Sequence, residues 1–413
     1  MKLVKSSLFK KKILVCVCAG ISAYKSIILV RLLIKSGAEV KVILSPDAHK
    51  FVSPLVLSVL SKNKVFSSFT NSENEWNNHV EYGIWADLIL VAPATANTIS
   101  KIAIGASDNL LLSTILSSRC PVFIAPAMDH DMYLNKITQE NIKKLKKNSF
   151  LFIDVESGEL ASGLIGKGRL SEPETIVTKL ETFLANMLPL SGVNCLVTAG
   201  PTFEKIDPVR FVGNFSSGKM GCYIANELIM QGANVELILG PSSESVNENI
   251  NLNHIVSAQE MLDVTLKKYE KQDIIIFSAA VSDYKPSIIY NKKIKKNSDD
   301  LRLSLSKTED ILKTLGQRKK NQVLFGFALE TDNEIDNTKK KLKEKNLDAI
   351  ILNSLNDEGA GFGFDTNKIT IIDNKLNIKK YPLMSKKELS KIIVKHATNL
   401  FYERFDVKNK SVK

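Results

Sequence analysis

Residues 12–25 read KILVCVCAGISAYK, and the order of residue types in them decides the fold. Residues 12–18 form an apolar, β-branched run of the kind that fills a buried strand. Ala19-Gly20-Ile21-Ser22 turns the chain, and an amphipathic stretch follows over 23–36. Gly37-Ala38 then leads into a second apolar run ending at Leu44. Strand, Gly loop, helix, Gly-Ala and strand make the start of a βαβ unit, which pairs its strands in parallel. The pattern recurs downstream. CLVTAG over 195–200 is a strand entering a Gly turn, a helix is expected over 220–231, and Gly232-Ala233 opens another strand through Leu239. Two such starts imply two separate parallel sheets, hence two α/β domains.

The join lies between these starts. Ser171-Glu172-Pro173-Glu174 has the form of a capping box, with Ser171 as N-cap, Glu174 three residues on and Pro173 tolerated in the first turn. Ile176, Val177, Leu180, Phe183, Leu184 and Met187 then share one helical face, and Pro189 and Gly192 end it. The expected boundary is therefore 189–193. Apolar runs over 88–92, 122–125, 274–280, 323–327 and 349–352 supply further buried strands.

A chain of 413 residues suits two or three domains, and 44% hydrophobic with 24% charged residues excludes a disordered chain. No apolar run approaches the ~18 residues of a membrane-spanning helix. The basic start imitates a signal peptide, but the apolar run over 13–18 is too short and no cleavage-like site follows. The five cysteines form no CxxC pair, and Cys16, Cys18 and Cys195 fall in strand-like runs. Reduced, buried thiols in a cytoplasmic protein fit that usage. Lys and Arg total 56 against 44 Asp and Glu, a net +12. That excess raises nucleic acid, a membrane surface or a polyanionic ligand as partner. No recognised nucleic-acid motif is present, so steeply salt-dependent nucleic-acid binding is the contrasting reading.

Open parallel sheets bind ligands beyond the carboxyl ends of their strands, so the loops there hold the candidate chemistry. Gly20 and Ser22 offer backbone N–H groups and a hydroxyl at a helix start, suiting a phosphate or simply a tight turn. Thr95, Asn97 and Thr98 suit either the polar edge of a flat cofactor or the cap of the next helix. His79 is a candidate proton acceptor or a structural ring. Asp129-His130-Asp131 reads as a metal cluster or, more simply, as a polar loop. The Gly-dense stretch over 158–169, GELASGLIGKGR, reads as a mobile flap over a substrate or an ordinary loop. In the second half, NFSSGKMG over 214–221 imitates part of a P-loop, but Met220 follows Lys219 and the full motif is absent. Ser216 and Ser217 there suit an anion or a plain N-cap, and Arg210 suits a bidentate phosphate or carboxylate grip. The run over 292–296 and the lysines over 339–345 read as solvated faces. Lys341 and Lys345 nevertheless share a helical face, a spacing that would let two ammonium groups meet one triphosphate. GFALET over 326–331 ends a strand, and its Phe327 would suit the face of a base.

Taken in order, GISAYK, His79 in HVEY, PATANT, PAMDHDMY and GELASGLIGKGR make residues 12–185 resemble the homo-oligomeric flavin-containing cysteine decarboxylases. The resemblance implies FMN as the electron sink that makes loss of CO₂ from an oxidised thiol easy. It implies Gly20, Ser22, Ser45, Thr95 and Asn97 around FMN, and His79 as the base. Two positions depart from the family pattern. Asp129 stands where the family carries a substrate-gripping Asn, and it loses the amide donor. Ser162 stands where the coenzyme A branch carries a proton-donating Cys.

TAGPT, IDPVR, NFSSGKMG, SAAVSDYKP, KIKK, GFALET and KLKEKNLD make residues 193–402 resemble phosphopantothenate–cysteine ligase. That resemblance implies activation of 4′-phosphopantothenate by CTP as an acyl-cytidylate, which L-cysteine attacks. It assigns Asn214 to the acyl-cytidylate step and Lys293 to the CTP phosphates and turnover. Ser278, Ala279, Asp283, Phe327, Lys341 and Lys345 fall at CTP contacts, and Lys307, Thr308, Glu309 and Asp310 match a segment near the nucleotide. Arg210, Asn214, Ser216 and Ser217 would meet substrate, with Mg²⁺ carried on the nucleotide phosphates.

Both halves together resemble the bacterial bifunctional coenzyme A biosynthesis family. The expected fold is α/β, with two doubly wound, mostly parallel, Rossmann-like domains: a flavoprotein-type decarboxylase over 1–190 and a ligase over 191–413. The expected activity is ligation followed by decarboxylation to 4′-phosphopantetheine. The alternative keeps the ligase and makes the first half impaired or a source of oxidised enethiol, because of Asp129 and Ser162. By the same resemblance the protein works without nucleic acid or membrane. It assembles as a homo-oligomer through trimeric decarboxylase and dimeric ligase contacts, up to a dodecamer.

Overall fold

The computed structural model describes residues 6–70, 75–295, 301–354, 359, 361 and 363–405. The chain divides into two compact units, Met1–Ala185 and Asn186–Lys413.

In the first unit six parallel strands form one sheet: β1 (Lys12–Val17), β2 (Glu39–Leu44), β3 (Val65–Phe66), β4 (Leu88–Ala94), β5 (Val122–Pro126) and β6 (Leu151–Phe152). Their spatial order is β3-β2-β1-β4-β5-β6. Alternation along β1 explains the unbroken apolar run. Ile13, Val15 and Val17 face a core built with Leu29 and Leu33 of helix Lys25–Lys35 and with Ile176 and Leu180 of helix Pro173–Asn186. Leu14 and Cys16 face the other side, against Ile99 and Ile102 of helix Ala96–Ile104 and Leu111 and Ile115 of helix Leu110–Leu116. Both faces are covered, so neither can carry polar residues. Each such side chain contributes roughly 1.5–3 kcal/mol on burial. Outside the sheet, β7 (Glu156–Glu159) and β8 (Ile165–Arg169) pair as an antiparallel hairpin.

The second unit opens with β9 (Asn194–Ala199) and a two-stranded ribbon, β10 (Phe203–Lys205) with β11 (Phe211–Gly213). Then come β12 (Asn234–Leu239), β13 (Asn251–His254) and β14 (Ile274–Phe277). A second ribbon joins β15 (Tyr284–Pro286) to β16 (Leu305–Lys307). The chain continues with β17 (Val323–Glu330), β18 (Ala349–Ser354), β19 (Thr366–Asp373) and β20 (Ile378–Ser385). The eight-stranded sheet runs β13-β12-β9-β14-β17-β18-β19-β20. Its first six strands are parallel; β19 and β20 extend it antiparallel.

Three expectations need correction. The Ser171 capping box does not form. Its hydroxyl donates to the Asp154 carbonyl at 2.7 Å, and the helix begins at Pro173. The helix expected over 23–36 is a 3₁₀ turn, Ile21–Tyr24, running into Lys25–Lys35. The division of the chain falls at 185/186, earlier than 189–193. The segment after the helix packs with the second unit, Leu190 N–H donating to the Gln231 carbonyl at 2.8 Å.

Candidate functional site

Each sheet reverses its strand order beside its first strand, at β1/β4 and at β9/β14, and each opens a cavity there. Adjacent loops leaving a switch point in opposite directions create such a crevice.

The first cavity, about 1070 Å³, is walled by Gly20 and Ser22 after β1, Ser45 after β2, Thr95 and Asn97 after β4, and Asp129 after β5. Ser162, in the β7–β8 connection, closes it. Ser45 Oγ accepts the Ala19 N–H at 3.0 Å and so ties the first two loops together. Thr95 Oγ1 accepts the Thr98 N–H at 3.3 Å and caps helix Ala96–Ile104. Asp129 accepts the His130 N–H at 2.7 Å and caps helix His130–Leu134. This is the polar-loop reading of Asp129-His130-Asp131. Among the described residues no three His, Cys, Asp or Glu side chains group to hold a metal.

The Gly-dense stretch is the β7–β8 hairpin. Gly168 has φ +137°, and a Cβ there would collide with the Met128 carbonyl oxygen. Its own carbonyl accepts the Met128 N–H at 3.0 Å, and His130 Nδ1 accepts the Lys167 N–H at 3.0 Å. Glycine here lets the hairpin stem press on the β5 loop, so the stem is fastened rather than loose. Below it, buried Lys25 donates to Glu172 at 2.8 Å and to the Leu170 carbonyl at 3.2 Å. Arg169 reaches the same Glu172 oxygen at 2.9 Å. The hydrogen bond from Lys25 holds the Glu172 carboxyl below its usual range, outweighing partial burial.

His79 does not line this cavity within one chain. It begins helix His79–Trp85, capped by Asn78, with its ring edge-on to Phe69 and Trp76 at 6.1 and 6.0 Å between centroids. Its buried Nδ1 has no hydrogen-bond partner among the described residues.

The second cavity, about 310 Å³, gathers Asn214, Ser216, Ser217, Ser278, Ala279, Asp283, Phe327 and Lys341. Asn214 Nδ2 donates to the Ala280 carbonyl at 2.9 Å. The plain N-cap reading of the two serines does not hold. The N-cap of helix Lys219–Met230 is Gly218, at φ 82°, with no side-chain cap. Ser216 Oγ instead accepts the Gly218 N–H at 3.3 Å, and Ser217 Oγ the Lys219 N–H at 3.4 Å.

Arg210, Lys293, Lys307, Thr308, Glu309, Asp310 and Lys345 lie outside this wall. Arg210 donates to the Ile294 carbonyl at 2.7 Å and sits 3.5 Å from Asp207, so its guanidinium is held by the protein. Lys341 pairs with Glu330 at 2.6 Å and Lys345 with Asp310 at 2.8 Å. Their shared helix face therefore does not present two free ammonium groups to one ligand. Lys307 ends β16. Thr308 Oγ1 donates to the Ser282 carbonyl at 2.6 Å, Glu309 accepts from Thr314, and Asp310 caps helix Ile311–Arg318. Lys296, the last residue of the 292–296 run, lies outside the described residues.

Sequence reasoning passed over Lys25 and Arg169 in the first wall and Asn353, Asn367 and Lys386 in the second. Asn353 follows the apolar run 349–352, so the rule that ligands meet strand ends would have found it. Lys386 carries no such signal, because it follows an antiparallel hairpin.

Residues 1–185 match the family described as Flavoprotein, and residues 190–400 match the DNA/pantothenate metabolism flavoprotein C-terminal domain. The coenzyme A biosynthesis bifunctional protein CoaBC of Bacillus subtilis is 43% identical over 92% of this chain and 95% of its own. A cysteine/cysteine sulfinic acid decarboxylase from an unidentified prokaryote is 49% identical over 85% of this chain and 100% of its own. Among solved structures, the C-terminal domain of a CoaBC protein is 38% identical, covering 52% of this chain and 99% of that one, with a TM-score of 0.46. The chain belongs to the family of bifunctional coenzyme A biosynthesis proteins, with a flavoprotein unit followed by a pantothenate-metabolism unit.

Proposed function

We propose that this protein carries out two consecutive steps of coenzyme A biosynthesis. The second unit joins 4′-phosphopantothenate to L-cysteine with consumption of CTP. The first decarboxylates the product to 4′-phosphopantetheine. The observation that carries the reading is that both halves match a bifunctional relative almost end to end, each half with its own strand-end cavity.

The first cavity fits FMN. It has the volume for a fused ring system with a phosphate tail, and hydroxyl, amide and backbone donors line its floor. The 3₁₀ turn Ile21–Tyr24 starts without a side-chain cap, leaving N–H groups for the phosphate. Gly20, Ser22, Ser45, Thr95 and Asn97 would hold the cofactor. When bound it supplies an acceptor for the electrons of the substrate thiol. Asp129 and Ser162 then orient substrate from the β5 loop and the hairpin. His79 acts as the base, which requires it to reach a site other than its own chain's cavity.

In the ligase cavity Asn214 orients the activated carboxyl and Phe327 meets the base. Lys341, once freed from Glu330, meets the phosphates, and Mg²⁺ arrives on the triphosphate. Lys293 and the segment 307–310 reach the nucleotide only if it extends beyond the cavity described.

Purified protein given 4′-phosphopantothenate, cysteine and CTP is expected to yield 4′-phosphopantetheine by mass spectrometry. A product lighter by two hydrogens would refute the complete pathway. The identity to a cysteine/cysteine sulfinic acid decarboxylase supports a second reading, in which the first unit acts on the free amino acids. Release of CO₂ from cysteine or cysteine sulfinate without CTP would favour it.

A further inference from the structure

Three lysines, Lys219, Lys341 and Lys386, line the second cavity, and they differ in how their charge is balanced. Lys341 is paired with Glu330. Lys219 is hydrogen-bonded to Asp365, with Glu244 at 3.8 Å. Lys386 is 6% exposed, yet its Nζ donates to a neutral group, the Gly361 carbonyl, at 3.1 Å. Among the described residues it forms no ion pair. Burial pushes its ammonium down from the usual lysine range, and Lys219 pushes it further; Asp365 and Glu244 pull it back only in part. A buried cation that, among the described residues, donates to one carbonyl and pairs with no carboxylate is costly unless a ligand supplies the anion. The same wall carries the Ser216 and Ser217 hydroxyls and the Asn353–Asn367 amide pair, joined at 3.2 Å.

We infer that Lys386 is a phosphate-binding residue of the second cavity, supplying the charge that the ligand's phosphate group neutralises. The inference deepens the ligase reading and rests on it for the natural ligand. Lys386 fits this work because it starts helix Lys386–Phe405, its N–H bound to the Asp365 carbonyl at 2.9 Å. Its stem is thus anchored while its head faces the cavity. Asp365 is the opposing element. It is largely exposed and held below its usual range, chiefly by the Lys219 hydrogen bond, so it competes with any bound anion.

The test is calorimetric titration of the full chain with inorganic tripolyphosphate, without metal ions. Lys386→Met is expected to weaken binding about tenfold or more, the size of one charge-assisted hydrogen bond, and Lys386→Arg to recover most of it. Asp365→Asn is expected to tighten binding a few-fold while the ligand-free melting temperature falls only slightly, with loss of the exposed pair to Lys219. A purely structural Lys386 would predict neither the recovery nor the tightening. No tripolyphosphate binding by wild type, or equal binding by Lys386→Met, overturns the inference. If Lys386→Met does not fold, Asp365→Asn decides: tighter binding supports the site, and unchanged or weaker binding overturns it. Repeating the titrations with CTP and with 4′-phosphopantothenate identifies which phosphate Lys386 meets, by which affinity falls. Intact tripolyphosphate binding without amide formation from CTP, 4′-phosphopantothenate and cysteine would refute the ligase reading and leave the anion site standing.

Discussion

The two units are built on one plan and finished differently. Both wind their parallel strands in the same order about the first strand, β3-β2-β1-β4-β5-β6 and β13-β12-β9-β14-β17-β18. At Gly20 the first loop leaves open space, since an added Cβ would meet only Thr95 Cγ2 at 3.7 Å. In the second unit Gly240 presses on the Pro201 carbonyl, and a Cβ there would overlap its oxygen. The cavities differ as well, about 1070 Å³ against 310 Å³. Charge separates them too. In the first wall Lys25 and Arg169 share Glu172, and Lys101 is paired with Asp108. In the second, Lys386 forms no ion pair among the described residues. A roomy, internally neutralised cavity suits a large, mostly uncharged ring system. A tight one with an unbalanced cation suits polyphosphate. Topology is therefore silent about ligand class, and local packing and charge decide it.

The strongest way to break this comparison is to ask whether the sites work independently. Asn214→Asp is expected to lower ligation by about 10²-fold or more while leaving decarboxylation of supplied 4′-phosphopantothenoylcysteine intact; His79→Asn should do the reverse. Separate assays of each half-reaction check both. Loss of both activities in either variant would mean that the units are not separate machines.

Next comes the packing contrast. Gly240→Ala is expected to destabilise the second unit by roughly 2–4 kcal/mol, because backbone must move to admit the methyl group. Gly20→Ala should cost under about 1 kcal/mol, since its φ of 171° is ordinary extended backbone. Denaturant unfolding curves read both, and equal costs would remove the distinction drawn between the two loops.

A smaller effect separates the helix starts. Thr95 caps its helix through its side chain, so Thr95→Ala is expected to cost about 1 kcal/mol. Helix Lys219–Met230 has no side-chain cap, so Ser217→Ala should leave stability within about 0.5 kcal/mol and act on ligand affinity instead.

How much of this was legible follows from range. The βαβ starts were readable because period and Gly position are local, and the wall residues near strand ends followed from one topological rule. Ser171 misled because its hydroxyl found a partner 17 residues back, in Asp154. For Lys341 and Lys345 the shared face was legible, but helical spacing says nothing of the carboxylates, Glu330 and Asp310, that other elements bring to them. Lys386 was invisible because its burial is created by the antiparallel edge of the sheet. The Gly-dense stretch looked loose in composition, yet its glycines serve close contact.

That last point gives the finest test of the first cavity's internal neutrality. Glu172 has its folded pKa lowered, chiefly by Lys25, so it contributes stability above its ordinary value of 4.5 and loses it as pH falls through the lowered value. Because its side chain is 40% exposed, screening keeps the contribution near ~0.5 kcal/mol at neutral pH. Glu172→Gln should therefore lower the melting temperature slightly at pH 7 and by progressively less in acid, until the two curves meet. The same substitution leaves Lys25 and Arg169 without their shared carboxylate at the cavity wall. If the cavity's neutrality matters to its ligand, the variant should bind inorganic phosphate more tightly than wild type does. Unchanged phosphate affinity would show that charge balance does not distinguish the two cavities.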